Sequence, residues 1–185
     1  MSSMVADTAA TAIPAGEWSI DPAWSALEFE VRKVGLIPIK GRVPGFSGTI
    51  RGGGEPSLEG KVDVSSITTF DETRDGHLQS PDFFDVQRHP ELRFESTAVE
   101  LHDGDRILAS GNLTIKGTTK PVGLAGRFLG SAVDAYGNER IAVELHGTID
   151  RTDFGLEWNA PLPTGGFLLP NEVRLKASFA AVRAA

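Results

Sequence analysis

The chain has 185 residues, with 25 acidic against 18 basic side chains and a net charge of −7. That balance disfavours wrapping nucleic acid or docking on anionic lipid through a basic face. Cysteine is absent, which excludes disulfides, thiolate chemistry, iron–sulfur clusters and cysteine zinc sites, and no apolar run approaches the ~20 residues of a membrane-spanning helix.

The length suits one domain, and the 21 Gly and 11 Pro suit many turns between short strands. Residues 1–16 are rich in Ala, Ser and Thr and lack the basic and apolar regions of a secretory signal. They read as a loosely attached tail before a domain at 17–183. A cytoplasmic location is expected, or a periplasmic or secreted one if an upstream signal has been removed.

Glu17 to Asp21 reads as a short strand stopped by Pro22. Ala26 to Val34 alternates cleanly, with Leu27, Phe29 and Val31 on one face and Glu28, Glu30 and Arg32 on the other. Val34 to Gly41 is apolar but broken by Gly and Pro, which predicts a bent connection at a rim. Phe46, Gly48 and Ile50 share a face of the next strand, ended by Gly52-Gly53-Gly54, and Leu58 to Val64 makes another.

Alternation stops between Asp71 and Pro90, where both charge signs, two His and two Phe crowd together. Ser80-Pro81-Asp82 reads as a helix start, with Ser as cap and Pro at the first position. Asp71 to Leu78 predicts a further helical turn or two. Arg74 with the neighbouring acids is expected to form ion pairs that fix this insert to the rest of the chain.

Beyond the insert, Leu92, Phe94, Ser96 and Ala98 share a face. Asp103-Gly104 signals a hairpin. Ile107, Ala109, Gly111, Leu113 and Ile115 alternate next, then Val122, Leu124, Gly126 and Phe128, then Ile141, Val143, Leu145, Gly147 and Ile149. Arg151 to Pro170 is irregular, and its first five residues read as a strand-end turn. Val173, Leu175, Ala177 and Phe179 form the last strand. Eight or nine strands with hairpin-length links imply an all-β fold, an antiparallel barrel or sandwich with a short helical insert. Small inward residues leave room for one ligand inside an eight-stranded barrel, in a long apolar cavity.

Four motifs then resemble the YceI-like family. They are Trp18-Ser19-Ile20-Asp21 with Ser25, Leu27, Phe29 and Val31; Ser66-Ile67-Thr68-Thr69 with Arg74-Asp75, His77-Leu78, Ser80 and Asp82-Phe83-Phe84-Asp85; Gly111-Asn112-Leu113-Thr114-Ile115 with Gly117, Thr118, Lys120 and Pro121; and Ile149 to Gly155. The resemblance runs from Trp18 to about Val182. It implies an extended eight-stranded antiparallel lipocalin-like β-barrel that carries or stores a long-chain isoprenoid lipid, such as an isoprenoid quinone or a prenyl pyrophosphate, in its pore. It also implies a homodimer. No other cofactor is expected. Trp24-Ser25 stands where the family often reads His-Ser, so a polar contact made by that His is missing.

On that reading the ligand-lining candidates are Leu27, Phe29, Val31, Phe46 and Ile50 from the first half, and Phe94, Leu113, Phe128, Leu145 and Phe179 from the second. Trp24, His77, Trp158 and Phe167 are candidates for a head-group site or rim. Leu168 and Leu169 share the irregular apolar segment of Trp158 and Phe167, which fits a dimer seam or a pore rim. The alternative is an enzyme acting on a lipid or small acid through His77 with Asp75 or Asp82. The four His lack zinc-site spacing, and no Gly-x-Ser-x-Gly elbow or phosphate loop occurs. No catalytic or metal site is therefore expected.

Overall fold

The computed structural model describes residues 12–185, in which strands alternate with turns and one α-helix. The strands are β1 (Gly16–Ile20), β2 (Ala26–Lys33), β3 (Ile37–Arg42), β4 (Phe46–Gly52), β5 (Ser57–Asp63), β6 (Glu91–His102), β7 (Arg106–Ile115), β8 (Thr118–Val133), β9 (Glu139–Asp150) and β10 (Glu172–Arg183). The helix α1 (Glu72–Gln79) lies between β5 and β6.

Every pairing is antiparallel, and eight strands close a ring in the order β1-β4-β5-β6-β7-β8-β9-β10, with β10 returning to β1. The eight-strand ring has no free edge, and β3, paired with β2 alone among the strands, is the one edge strand of the described sheet. The long β10 pairs with β1 along Ala181–Arg183 and with β2 along Arg174–Ser178. So β1 and β2 are two segments of one wall, separated by the turn Pro22–Trp24, which the Asp21 side chain caps by accepting from the Ala23 N–H. Likewise β3 pairs with β2 before leading into β4. The barrel therefore has two dissimilar ends, one walled by β1 and β4, the other by β2 and β3.

Four local expectations change. The segment after Val34 is not a bent connection but a tight turn and the strand β3, in which Pro38 is tolerated because β3 pairs on one side, with β2. The helix lies over the Asp71 to Leu78 stretch read as helical, and none starts at Ser80. The Asp71 carboxylate caps its start by accepting from the Arg74 N–H, and Ser80 ends it, its hydroxyl donating to the His77 carbonyl. Pro81 cannot continue the helix, so a series of turns follows. In β6 a bulge between Ser96 and Ala98 shifts the register, which sends Ala98 outward and brings Val99 and Leu101 inward. Finally, residues 1–11 of the expected tail lie outside the described residues, whereas Ile13 is buried in the core and the Trp18 indole N–H donates to the Pro14 carbonyl.

Two apolar clusters form. At the β1 and β4 end, Trp18, Ile20, Ile50, Ile107, Phe128, Ile141 and Ala181 pack together. At the other end, Phe83 from the insert meets Leu113, Ile115, Phe154 and Leu156. The insert is tied down by hydrogen bonds, not by the expected ion pairs. Arg74 donates to the Thr69 hydroxyl and carbonyl, the Asp75 carboxylate accepts from the Thr69 N–H and hydroxyl, and Lys116 donates to the Pro81 carbonyl.

Candidate functional site

The β2 and β3 half of the barrel is hollow. A cavity of about 650 Å³ runs from Ile20, Phe46 and Leu58 in mid-barrel to the end covered by the insert and the 156–169 loop. Its volume falls in the range of small-molecule sites, and its wall is aliphatic and aromatic. The inward rows of the strands build it: Leu27, Phe29 and Val31 from β2, Leu113 and Ile115 from β7, Leu145 and Ile149 from β9, and Leu175, Ala177 and Phe179 from β10.

Glycine contributes indirectly. A Cβ on Gly41 would run into the Phe29 ring, one on Gly111 into the Phe94 ring, and one on Gly147 into Leu124. Each glycine lets a neighbouring large side chain lie flat on the wall. Flat rings clear the barrel axis, so the lumen stays open although its wall is made of bulky residues.

Polar groups gather at one end. Lys33, Thr69, Asp71, Thr73, Arg74, His77 and Arg151 all border the cavity there. Asp71 and Thr73 are also solvent-exposed, so the cavity opens at this point. Glu59, Lys61, His146 and Lys176 border it too, but on the outward-facing rows of their strands. Burial pushes the Asp75 carboxyl up, and the hydrogen bonds from Thr69 and Thr68, with the Arg74 charge, overcome this and hold it below the usual range. The His77 ring meets Trp158 edge-on at 4.6 Å and Phe83 at 5.0 Å, while its Nε2 lies 2.9 Å from the Asp82 carboxylate.

The sequence-derived candidates divide accordingly. Leu27, Phe29, Val31, Phe46, Phe94, Leu113, Leu145 and Phe179 border the cavity, as do His77 and Trp158. Ile50 and Phe128 do not: both face inward, but at the packed end, where no space remains. Trp24 is 57% exposed on the outer side of the barrel, with the Arg140 guanidinium stacked over its ring at 4.0 Å. It does not border the cavity. Phe167 is 64% exposed and does not border the cavity, whereas Leu168 and Leu169 do. The Leu168 carbonyl accepts from the Val34 N–H, which joins the loop to the β2–β3 turn.

Sequence reasoning overlooked Lys33 and the interior place of Arg151. Alternation did carry the signal, since Lys33 continues the row of Leu27, Phe29 and Val31, and Arg151 continues the row of Leu145, Gly147 and Ile149. Arg151 is 4% exposed. It makes no ion pair among the described residues; its Nε donates to the Pro170 carbonyl at 2.9 Å, and its Nη1 to the carbonyls of Leu156 at 2.6 Å and Trp158 at 2.9 Å. Burial pulls its pKa down against the pull of Asp150. Among the described residues, no group of three His, Asp or Glu is placed to hold a metal ion.

The model of the YceI-like domain matches residues 18–181. A UPF0312 protein of Pectobacterium atrosepticum is 36% identical over 134 residues, which is 70% of this chain and 69% of that protein. The crystal structure of Burkholderia cenocepacia BcnA superposes with a TM-score of 0.76 at 20% identity, over 88% of this chain and 99% of BcnA. A polyisoprenoid binding domain from Saccharophagus degradans, implicated in plant cell wall breakdown, superposes with a TM-score of 0.69 at 18% identity, over 90% of this chain and 98% of that domain.

Proposed function

The chain belongs to the YceI-like family, and we propose that it binds the apolar chain of a long isoprenoid lipid in the barrel cavity and carries or stores it there. One observation carries this reading: the cavity of about 650 Å³ is walled mainly by inward-facing aliphatic and aromatic side chains, with a cluster of polar groups at one end. Such a space suits a ligand with a long apolar tail and a small polar head. Binding is driven by removing the tail from water, at ~25 cal/mol per Å² before ordering costs. The shared fold with the Saccharophagus degradans polyisoprenoid binding domain supports the same ligand class.

Binding is favoured over catalysis. An acid–base pair must aim at a common reacting atom. Here His77 is held by Asp82, and Asp75 is turned to Thr69. The test is native mass spectrometry of the purified chain after incubation with a C20 or longer prenyl lipid. A one-to-one complex that survives buffer exchange is expected; a chain that stays empty at saturating lipid overturns the reading.

A further inference from the structure

We propose that Arg151 anchors the head group of the bound lipid and selects an anionic phosphate or diphosphate end over a neutral one. This rests on the reading of the cavity as an isoprenoid site and specifies which isoprenoids it takes. The inward row of β9 runs Val143, Leu145, Gly147 and Ile149 and then reaches Arg151, at the polar end of the cavity. Three backbone carbonyls orient the guanidinium through Nε and Nη1. Nη2 has no acceptor among the described residues, and yet no buried side-chain nitrogen there is left unpartnered. Nη2 is therefore not sealed off by the protein, and Arg151 borders the cavity.

The charge is oriented and makes no ion pair among the described residues, although Asp150 attracts it from beyond contact. Its nearest acid in sequence, Asp150, accepts from the Thr152 N–H and hydroxyl. A buried cation without an anion is costly, and a ligand that supplies one removes that cost. The planar guanidinium fork also matches phosphate oxygens. Lys33 ends the inward row of β2 without an ion pair among the described residues, and Arg74 borders the same end. Opposing them is Asp71, which accepts from the Arg74 N–H as the helix cap, while His77 is held by Asp82. Asp71 and Asp75 offset Arg74, which leaves Lys33 and Arg151, neither in an ion pair among the described residues, as the remaining cations at this end. A quinone ring, which only accepts hydrogen bonds, would leave that charge in place.

The experiment compares geranylgeranyl diphosphate with geranylgeraniol, which has the same tail and a neutral head, by titration calorimetry on the full chain. The wild type is expected to bind the diphosphate about tenfold more tightly or better. Arg151→Gln should lose that preference while still binding the alcohol, and Arg151→Lys should keep part of it. Lys33→Gln should reduce it less than Arg151→Gln. Equal wild-type affinity for the two lipids overturns the proposal even if Arg151→Gln does not fold. A preference that survives in folded Arg151→Gln also overturns the assignment to this residue. If neither lipid binds, the cavity reading itself fails, and the anchor with it.

Discussion

The two ends of this barrel use the same wall and reach opposite results. On β10, Ala177 and Ala181 lie four residues apart on one inward row. Ala181 is 0% exposed and sits against Trp18, Ile107 and Ile141 in a filled interior. Ala177 is 8% exposed and borders the cavity. The difference lies in what faces them. At the filled end the indole of Trp18 and the β-branched Ile side chains project to the axis and meet. At the hollow end Phe29, Phe94 and Leu124 lie back over Gly41, Gly111 and Gly147. Apolar residues alone therefore do not make a core; the room beside each one decides whether it fills the axis or clears it.

The largest effect should come from emptying the filled end. Trp18→Ala removes its largest side chain and should cost about 3–5 kcal/mol in urea unfolding, with lipid affinity little changed in the protein that remains folded. Next comes the matched pair on β10. Ala181→Phe overpacks a filled site and should cost about 1–3 kcal/mol. Ala177→Phe enters open space, so its stability should stay within about 1 kcal/mol of the wild type, while lipid binding falls sharply. Equal destabilisation by the two, with binding retained, would break the comparison between the ends.

Acid should act at both ends. Asp134, near the filled end, is held well below the usual carboxylate range, first by the hydrogen bond from Arg140, with the N–H groups of Asn138 and Tyr136 adding to it against burial. Asp75 in the insert is also lowered. A lowered folded-state pKa contributes stability that is complete above the unfolded value of about 4 and is lost as pH falls below it. Asp134→Asn should therefore flatten the acid limb of global unfolding. Asp75→Asn should instead flatten acid-induced loss of lipid binding, read by fluorescence of Trp158 beside His77. The smallest effect is Gly76→Ala. This exposed mid-helix glycine has open space around a built Cβ, so the change should stabilise α1 by about 0.5–1 kcal/mol, seen as slower amide exchange in Glu72–Gln79.

Much of the wall was legible from alternation. Leu27, Phe29 and Val31, and Leu145 with Ile149, were placed on inward faces by period alone, and they border the cavity. Ile50 and Phe128 were placed inward by the same rule and face a filled interior. Period two identifies a face, but not the depth along the barrel at which that face looks into space. Helix polarity around Ser80 was misread because a Ser before a Pro suits either helix end. Only the hydrogen bonds to Asp71 and from Ser80 decide which end it is.

From the sequence alone came the all-β class, the antiparallel links, the family resemblance carried by four motifs, and the exclusion of cysteine chemistry. These depend on residue type and short spacing, which the chain carries locally. The tertiary structure decided which half of the barrel is hollow, that β1 with β2 form one wall, and that Arg151 is buried at the border of the cavity. Those features depend on residues far apart in sequence: β10 against β1 and β2, Phe29 over Gly41, and Arg151 against the carbonyls of Leu156, Trp158 and Pro170. Closure of the ring brings them together, and no local pattern encodes the volume left between them.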